Sequence, residues 1–446
     1  MVQEASPTAV CRKEGTRRKI PELLAPAGNR EKLALAVHYG ADAVYLGGKA
    51  FGLRNQADNF TDDELEEAVA FAHDRGVKTY LTVNWYANGA DLPGLQVFLE
   101  RIAAVPFDAL IVADHGVVDL IQEISPERPI HLSTQANTTN WRSAAFWSRQ
   151  GVSRINLARE MCLDEIREVK QRVPMAVEVF VHGALCISYS GRCLLSSAMT
   201  GRNANKGECA HPCRWNYSLV EESRPGEYFP VIADDHGTFI FNSRDLCLLP
   251  YLPELITAGV DSLKIEGRMK GVNYVASVVR VYREALDRYH DNPERYSCRP
   301  EWLEELAKIS HRGYTTGFIF GEPRDVGVEY DSRYLRSHDF VGIVAEASEG
   351  NAGGEIAVDV RNRIRRGDRL EFIGPGMAAH SLLLERMTDC DGLHLDSAHP
   401  NSRILLNVPF PAARLDLVRR ERLPEMARSE ARPDIDTPLS APPEVL

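Results

Sequence analysis

Residues 262–268 read Ser-Leu-Lys-Ile-Glu-Gly-Arg, an alternation in which the apolar side chains take one parity and the charged side chains the other. Successive side chains of a β-strand point to opposite faces, so Leu263 and Ile265 face one way while Lys264 and Glu266 face the other. Such a strand fits a closed barrel whose apolar residues face surrounding helices and whose charged residues face the lumen. The segment therefore predicts the last strand of a barrel with a polar lumen.

The preceding sequence alternates strand and helix patterns, as such a barrel requires. Seven further strands are predicted, at Glu22–Gly28, Ala43–Gly48, Lys78–Trp85, Ala109–Asp114, Ile130–Asn137, Arg154–Glu160 and Ala176–Gly183. Amphipathic helices are predicted at Arg30–Tyr39, Asp62–Arg75, Pro93–Ala104, Val117–Ile124, Trp141–Gln150 and Asp164–Val173. Eight such units in about 270 residues are typical of a (β/α)8 TIM-like barrel, an α/β fold. A doubly wound sheet is the alternative, but it does not need eight units.

Polar residues on the predicted lumen face lie near the C-terminal ends of several strands, where TIM-like barrels place their active sites. They are Glu178 and His182 on strand seven, Ser133, Gln135 and Asn137 on strand five, and Thr82 and Asn84 on strand three. We expect these side chains to line a catalytic mouth. The alternative is that one or two of them only satisfy buried hydrogen bonds.

Five of the nine cysteines lie in the long interval between strands seven and eight. They are Cys186, Cys193, Cys209, Cys213 and Cys247, and the first four have the spacing C-x6-C-x15-C-x3-C. Four thiolates suit either a Zn²⁺ ion or an iron–sulfur cluster. Buried free cysteines and disulfides are the alternatives, but the segment is polar and lacks a core, which favours a metal centre at the barrel mouth. A helix is predicted over Leu246–Ala258, with Cys247 at its start.

The character of the sequence changes from Tyr334 onward, where short β-like runs replace the helical patterns. The runs are Phe340–Ala345, Glu355–Val360, Arg369–Phe372, Gly392–Leu395 and Arg403–Leu406. They predict a small C-terminal all-β barrel domain over residues 334–425, after a barrel domain over 20–330 that carries a cysteine-rich insertion at 184–247. Residues 1–19 and 426–446 are predicted to be disordered because their composition is polar or rich in proline and charge.

The net charge of −11 argues against a general nucleic-acid coat, but it leaves room for a local basic surface. The candidate RNA-binding residues are Arg361, Arg363, Arg365 and Arg366, which lie between two predicted strands of the β domain. A solvated turn and a phosphate-binding edge both fit this run. The N-terminus shows no apolar signal segment and no run is long enough to span a bilayer, so we expect a cytoplasmic protein with reduced thiols and no membrane partner.

Several blocks of the sequence resemble the collagenase-like peptidases of family U-32. The longest covers residues 178–193, Glu-Val-Phe-Val-His-Gly-Ala-Leu-Cys-Ile-Ser-Tyr-Ser-Gly-Arg-Cys. Further similar blocks are residues 23–28, 42–48, 261–268 and 311–318. The family name implies a protease, yet the sequence has neither a His-Glu-x-x-His helix nor a Gly-x-Ser-x-Gly elbow. A Cys186–His182 pair is conceivable, but the resemblance implies that this cysteine is a metal ligand.

The resemblance to the better-understood members of the family implies an oxygen-independent hydroxylase with a [4Fe–4S] cluster. One branch hydroxylates C5 of the wobble uridine of tRNA with prephenate as hydroxyl donor, a second acts on a ribosomal RNA cytidine, and a third acts on ubiquinone precursors. Length and the C-terminal β domain make this chain most similar to the tRNA branch. The expected partners are therefore tRNA and a small-molecule hydroxyl donor, whereas a partner subunit and the oligomeric state stay open.

The resemblance also implies site residues. The implied cluster ligands are Cys186, Cys193, Cys209 and Cys247, which leaves the choice between Cys209 and Cys213 open, and zinc is the alternative metal. Because prephenate carries two carboxylates and arginines bind carboxylates bidentately, the candidate substrate-binding residues are Arg54, Arg192 and Arg268, with Asn84 and Gln135. The candidate proton-transfer groups are Glu178, His182, Lys264 and Glu266, at strand ends that face inward.

Overall fold

The computed structural model of the chain describes residues 20–54, 58–185, 193–215, 218–219, 229–230, 244–321, 336–347 and 353–422. Its first seven strands are β1 (Glu22–Pro26), β2 (Ala43–Gly47), β3 (Lys78–Val83), β4 (Ala109–Val112), β5 (Ile130–Leu132), β6 (Arg154–Asn156) and β7 (Ala176–Ala184). Three short strands follow, β8 (Ser218–Leu219), β9 (Phe229–Pro230) and β10 (Asp245–Cys247), before β11 (Ser262–Ile265). Strands β1 to β7 pair in parallel in sequence order, and β11 pairs in parallel with both β7 and β1. The predicted (β/α)8 barrel is therefore confirmed.

Ten α-helices are found in the described part of the chain, most of them on the outside of the barrel. They are α1 (Arg30–His38), α2 (Asp62–His73), α3 (Leu92–Ile102), α4 (His115–Ile124), α5 (Trp141–Arg149), α6 (Leu163–Arg172), α7 (Leu195–Thr200), α8 (Leu252–Thr257), α9 (Val272–Asp291) and α10 (Pro300–Lys308). Local sequence explains their ends well. Thr61 and Glu64, for example, form a reciprocal capping box at the start of α2, which satisfies two of the N–H groups that a helix leaves unpaired.

Most predicted strands extend beyond the observed C-terminal ends. The fifth strand was expected over Ile130–Asn137 but ends at Leu132, because Thr134–Ala136 form a 3-10 turn and Asn137 closes it in the left-handed region with φ 56°. The hydroxyl of Thr134 donates to the carbonyl of Leu157 at 3.2 Å, which holds this turn against the next strand. The polar side chains that follow β5 therefore come from a turn at the barrel mouth.

The predicted helix over Leu246–Ala258 is wrong at its start. Asp245–Cys247 form β10, which pairs antiparallel with the end of β7 and places Cys247 opposite His182. Strand β7 continues beyond the barrel rim, and β10 satisfies the backbone groups along its exposed edge. A further strand, β12 (Tyr314–Thr315), pairs in parallel with β10, and the helix itself begins only at Leu252.

The C-terminal domain is all-β, as predicted. Its strands are β13 (His338–Ala347), β14 (Gly354–Val360), β15 (Ile364–Arg365), β16 (Arg369–Ile373), β17 (Ala379–Leu383), β18 (Ser397–Ala398), β19 (Arg403–Val408) and β20 (Leu417–Glu421). Six of them form one antiparallel sheet in the order β17-β16-β20-β13-β14-β19, and Thr388, just past β17, bridges Leu405 of β19. The sheet therefore curls around a core of its own that includes Val358, Phe372 and Leu406.

One predicted strand of this domain, Gly392–Leu395, is not formed. His394 makes a single bridge to Thr388, and the carboxylate of Asp389 accepts hydrogen bonds from the N–H groups of Asp391 and Leu393. An aspartate that binds the backbone two residues ahead stabilises a turn in place of a strand. The predicted disordered segments, 1–19 and 426–446, lie outside the described residues.

The two domains share a buried interface. Ile343, Ile373 and Leu417 of the β domain belong to the core of the barrel domain. The hydroxyl of Tyr39 on α1 donates to the carbonyl of Ile373 at 2.7 Å and accepts from the N–H of Leu417 at 3.2 Å. Because these contacts are apolar and fully buried, we expect the domains to move as one body.

A buried ionic network strengthens this interface. Arg419 of β20 is fully buried and donates two hydrogen bonds to the carboxylate of Glu305 on α10, at 2.8 and 3.0 Å, and two to that of Glu371 of β16, at 2.6 and 3.0 Å. Burial alone would raise the pKa of Glu305, but the guanidinium groups of Arg419 and Arg280 outweigh it and lower that pKa to about 2. Glu305 and Glu371 therefore stay ionised and depend on Arg419 for compensation.

We expect Arg419→Met to lower the free energy of unfolding by about 3 kcal/mol, because it leaves two buried carboxylates short of a partner. Chemical denaturation followed by circular dichroism measures the effect. Arg403→Met is the matched control, since Arg403 pairs with Asp359 and Glu346 but its side chain is 43% exposed, and we expect that change to cost below about 1 kcal/mol. Equal losses in the two variants would contradict a special role for the buried network.

Candidate active site in the barrel lumen

A polar pocket lies in the barrel lumen, at the C-terminal ends of the strands. Its walls include the predicted substrate-binding residues Arg54, Asn84, Gln135 and Arg268, together with Lys264 and Glu266. The alternation read from residues 262–268 is therefore correct, because Leu263 and Ile265 belong to the core between the barrel and its helices. Arg192, the remaining predicted substrate-binding residue, lies outside the described residues.

The floor of the pocket is a charged network. The ammonium of Lys264 is 2.8 Å from the carboxylate of Glu178, whose other oxygen is 3.4 Å from Arg154. Arg154 also pairs with Glu22 at 2.6 Å, at the N-terminal end of the barrel. Lys264 lies 4.6 Å from the ring centroid of Tyr45, within cation–π range. Lys264 therefore lines the pocket. Glu178 lies beneath it and holds the Lys264 ammonium in place.

Glu266 lies at the mouth between two guanidinium groups. Its carboxylate oxygens are 3.2 Å from Arg54 and 3.8 Å from Arg159. Burial would raise the pKa of Glu266, but the charges of Arg54 and Arg159 outweigh it and lower that pKa below its usual value. Arg159 also lies 3.8 Å above the ring of Phe180. Glu266 is therefore an ionised carboxylate at neutral pH, and Arg159 is a site residue that the sequence analysis missed.

Arg268 shapes the wall of the pocket. Its guanidinium donates to the hydroxyl of Thr82 at 2.6 Å and to the carbonyl of Leu53 at 3.0 Å. Burial and the nearby charge of Arg54 lower the pKa of Arg268 to about 10, so it stays charged at neutral pH. A Cβ on Gly47 would approach this guanidinium to 2.4 Å, so any larger residue there would have to displace Arg268.

The predicted amide residues Asn84 and Gln135 are brought together across the pocket. The carboxamide oxygen of Asn84 accepts from the N–H of Leu53 at 3.1 Å. Its Nδ2 donates to Ser133 Oγ and to Gln135 Oε1, each at 3.3 Å. The Asn84 amide is therefore hydrogen-bonded within the protein, and these bonds hold the wall of the pocket in shape.

His182 does not face the lumen, which corrects its predicted placement. Phe180 pairs with Lys264 while His182 pairs with Ile265, so β7 carries a bulge that reverses the parity of its last residues. The ring of His182 packs among Tyr274, Tyr282 and Tyr314, at centroid distances of 5.9, 5.7 and 5.4 Å. Burial lowers the pKa of His182 to about 3, so this histidine is neutral and cannot reach a substrate in the pocket.

The cysteine cluster can be followed only in part, because Cys186 lies outside the described residues. Cys193, Cys209, Cys213 and Cys247 form no disulfide, and Cys247 is buried while the other three are partly buried. In the parts of the chain that the structure describes, no three histidine, cysteine, aspartate or glutamate side chains gather closely enough to hold a metal ion. The donor type therefore fits a metal centre, but the described cysteines do not form an assembled site.

One described part of the cysteine-rich insertion contacts the barrel mouth. Lys206 of the insertion pairs with Asp91, just after β3, at 2.9 Å, and its ammonium lies 5.2 Å from the ring centroid of Trp85. Both contact residues belong to the loop that joins β3 to α3, at the C-terminal end of the strands. Lys206 therefore lies beside the barrel mouth, whereas much of the rest of the insertion lies outside the described residues.

The basic turn of the β domain contacts the barrel domain through Arg361, near the end that carries the mouth. Arg361 pairs at 2.5 Å with Glu31 in the first turn of α1, which begins just past the C-terminal end of β1. Arg363, Arg365 and Arg366 are exposed and line one shallow groove. Arg361 thus connects the two domains, whereas the other three predicted RNA-binding arginines face solvent.

Among the helices that the structure describes, none is both long and apolar enough to cross a bilayer.

Comparison with known proteins adds a family to this geometry. The sequence profile of peptidase family U32 matches residues 28–328, and the profile of the U32 C-terminal domain matches residues 336–419. The chain is 42% identical over 389 residues to tRNA hydroxylation protein P1 of Bacillus subtilis, covering 86% of this chain and 90% of that protein. It is 37% identical over 431 residues to tRNA hydroxylation protein P of Escherichia coli, covering 88% and 94%. It is 36% identical over 358 residues to a 23S rRNA 5-hydroxycytidine synthase of Escherichia coli, covering 79% and 52%.

Proposed function

The chain belongs to peptidase family U32, and on that basis we propose that it is a tRNA hydroxylase that forms 5-hydroxyuridine at the wobble position. The relatives that it matches along most of their length, both domains included, are named for tRNA hydroxylation. The relative named for ribosomal RNA is matched over only about half of its length. This difference in coverage supports tRNA over ribosomal RNA as the substrate.

The observation that carries the chemistry is the excess of positive charge in the lumen pocket. Arg54, Arg268 and Lys264 line it and Arg159 borders its mouth, while Glu266 and the more deeply placed Glu178 supply the carboxylates. An anionic ligand would balance the remaining charge, and guanidinium groups are suited to binding carboxylates through paired hydrogen bonds. This supports prephenate, a dicarboxylate, as the hydroxyl donor.

The reaction replaces the C5–H bond of uracil with C5–OH. With a donor written R–OH, uridine gains the hydroxyl and loses two electrons and a proton, and the donor leaves as R–H, so atoms and electrons balance. Glu266, which is ionised at the mouth, is the candidate to accept the C5 proton, and Lys264 is the candidate to protonate the donor fragment. Glu178 positions the Lys264 ammonium for that transfer.

A [4Fe–4S] cluster on Cys186, Cys193, Cys209 and Cys247 is part of the proposal, and zinc is the alternative metal. It rests on the cysteine spacing, on the absence of disulfides among the described cysteines and on the contact of the insertion with the mouth. A cluster held by four cysteines would supply electron transfer when bound. The residues of the lumen would still bind and orient the substrates.

The β domain is the proposed docking surface for tRNA. Arg363, Arg365 and Arg366 are exposed, and the Arg361–Glu31 ion pair holds the start of their turn against the barrel near its mouth end. The wobble base lies in a single-stranded loop, so it can be splayed into the lumen without opening a duplex. The phosphates of the anticodon arm would then lie along the basic turn.

Neutralising this turn tests the docking surface. We expect Arg363→Gln, Arg365→Gln and Arg366→Gln together to weaken tRNA binding roughly tenfold or more. The salt dependence of binding should flatten by about one unit of slope for each phosphate that the variant no longer neutralises. Filter binding over a range of salt concentrations measures both quantities.

The matched control neutralises Arg149, Arg288 and Arg295, three exposed arginines at or just past the C-terminal ends of α5 and α9 and hence away from the start of α1 that Arg361 contacts. It changes the net charge by the same amount. Equal loss of affinity in the two triple variants would show a general charge effect and contradict the proposed docking surface.

The function itself is tested in the organism that encodes the chain. Deletion of the gene should remove 5-hydroxyuridine derivatives from wobble positions, as measured by mass spectrometry of tRNA nucleosides. The parent gene should restore them. Unchanged levels in the deletion strain would contradict the proposal and return ribosomal RNA, quinone and peptide substrates to consideration.

A further inference from the structure

Asn156, on the lumen face of β6, is a buried amide that the protein leaves unpaired. It lines the pocket and is only 2% exposed. Neither its Oδ1 nor its Nδ2 has a hydrogen-bond partner among the described residues. Buried carboxamides are normally hydrogen-bonded, because removing them from water without a partner costs free energy. An amide left open inside a pocket therefore points to a ligand that supplies the missing partners.

The neighbours of Asn156 are engaged elsewhere. Arg154, two residues earlier on the same face of the strand, is held by Glu22 and Glu178 at the N-terminal end of the lumen. The other pocket amide with such burial, Asn84, is held by backbone and side-chain partners. Asn156 thus lines the pocket above this charged floor, with both atoms of its amide buried and unpaired.

A carboxamide presents an acceptor and a donor side by side, and its complement is a ligand edge with a donor next to an acceptor. A carboxylate does not match, since it offers only acceptors and would face the Oδ1 of Asn156 with like partial charge. The N3–H and C4=O groups of uracil do match, in the same way that asparagine pairs with a base edge in nucleic-acid recognition. The dicarboxylate donor fits the arginines of the pocket, and the base fits Asn156.

We propose that Asn156 binds the N3–C4 edge of the target uracil and is a specificity-determining residue of the enzyme. This inference rests on the proposed function. Around the barrel, β6 is followed by β7 and then by β11, which carries Lys264 and Glu266. Because C5 adjoins C4 in the ring, a uracil held by Asn156 at its N3–C4 edge can turn C5 toward β11. Phe180 of β7 lies on the pocket wall between the two strands.

The test pairs a change in the enzyme with a change in the substrate. Anticodon stem-loops with uridine or 3-methyluridine at the wobble position are compared, because the methyl group removes the N3–H donor. We expect the methyl group to lower kcat/KM of the parent enzyme roughly 10- to 100-fold. Asn156→Leu, of similar shape, should lower kcat/KM for uridine by a similar factor, and the methyl group should then cost nothing further.

Structural effects of the substitution are separated by its thermal stability. Leucine removes two buried polar groups that have no hydrogen-bond partner, and it keeps the side-chain volume. The melting temperature of Asn156→Leu should therefore equal or exceed that of the parent. If Asn156→Leu fails to fold, Asn156→Ser takes its place in the comparison of the uridine and 3-methyluridine stem-loops.

Two outcomes overturn the inference and leave the proposed function standing. One is a parent enzyme that modifies uridine and 3-methyluridine equally well, and the other is an Asn156→Leu enzyme that still loses the full factor on methylation. A parent enzyme that hydroxylates neither stem-loop, although it holds its metal and donor, overturns the proposed function and this inference together.

Discussion

Replacing Glu266 by glutamine lowers kcat for tRNA hydroxylation by about 10²- to 10⁴-fold while the barrel stays folded. Glutamine keeps the shape of the side chain but cannot accept the C5 proton. We expect Lys264→Met to have an effect of similar size, because it removes the proposed proton donor and leaves Glu178 with Arg154 as its remaining cationic partner. Single-turnover kinetics with excess enzyme measure the chemical step directly.

The pH dependence of the same step gives a second test of Glu266 as the proton acceptor. Its pKa is lowered in the folded protein, so the carboxylate stays ionised as the pH falls and protonates only below the usual range for glutamate. The acid limb of the kcat profile should therefore lie below the ordinary glutamate pKa, and it should disappear in Glu266→Gln. Glu67→Gln, at a glutamate whose side chain is 60% exposed on the barrel surface, is the matched control. A Glu266→Gln enzyme within about threefold of the parent would remove this residue from the mechanism.

We expect serine at Cys186, Cys193, Cys209 or Cys247 to abolish both the proposed metal centre and hydroxylation. Anaerobically purified parent protein should show a broad absorbance near about 400 nm from thiolate-to-iron charge transfer, with iron and sulfide in equal amounts. Each of the four serine variants should lose it. Removal of the metal from the parent by a chelator should give the same inactive state.

Cys213→Ser is the matched control, because Cys213 belongs to the same insertion and, like Cys209, is partly buried and forms no disulfide. It should keep both absorbance and activity. If Cys213→Ser loses the absorbance and Cys209→Ser keeps it, then Cys213 is the ligand in place of Cys209. Stoichiometric zinc without iron would contradict the cluster.

The alternation of residues 262–268 predicts the polar lumen correctly, since period two is a local property of a strand. The same reasoning is wrong for His182, because the bulge in β7 arises from pairing with β11 and local sequence does not reveal it. The lumen-facing position of Asn156 could have been predicted from the sequence, because Arg154 and Asn156 share a face of β6. The position of Arg159 could not have been predicted in this way, because Arg159 follows the end of β6 and the alternation of side chains holds only within a strand.

Elements that depend on distant partners were harder to predict. Strand β10 has an apolar local sequence that fits a helix as well, and the exposed edge of β7 decides its conformation. Strand β20 reads Leu-Val-Arg-Arg-Glu, which suggests a charged surface segment. Its Arg419 is nevertheless fully buried, because Glu305 and Glu371 compensate its charge from two different domains. Such pairs are set by tertiary structure and leave no pattern in the sequence.

The most direct measurement of the central claim is a reconstituted anaerobic reaction with oxygen-18 in the hydroxyl group of prephenate. Iron-loaded protein, unmodified tRNA and the labelled donor are incubated together, and the nucleosides are analysed by mass spectrometry. The account predicts 5-hydroxyuridine at the wobble position that carries the label, and none with Glu266→Gln. Absence of the hydroxylated nucleoside, or a hydroxyl group without the label, would contradict it.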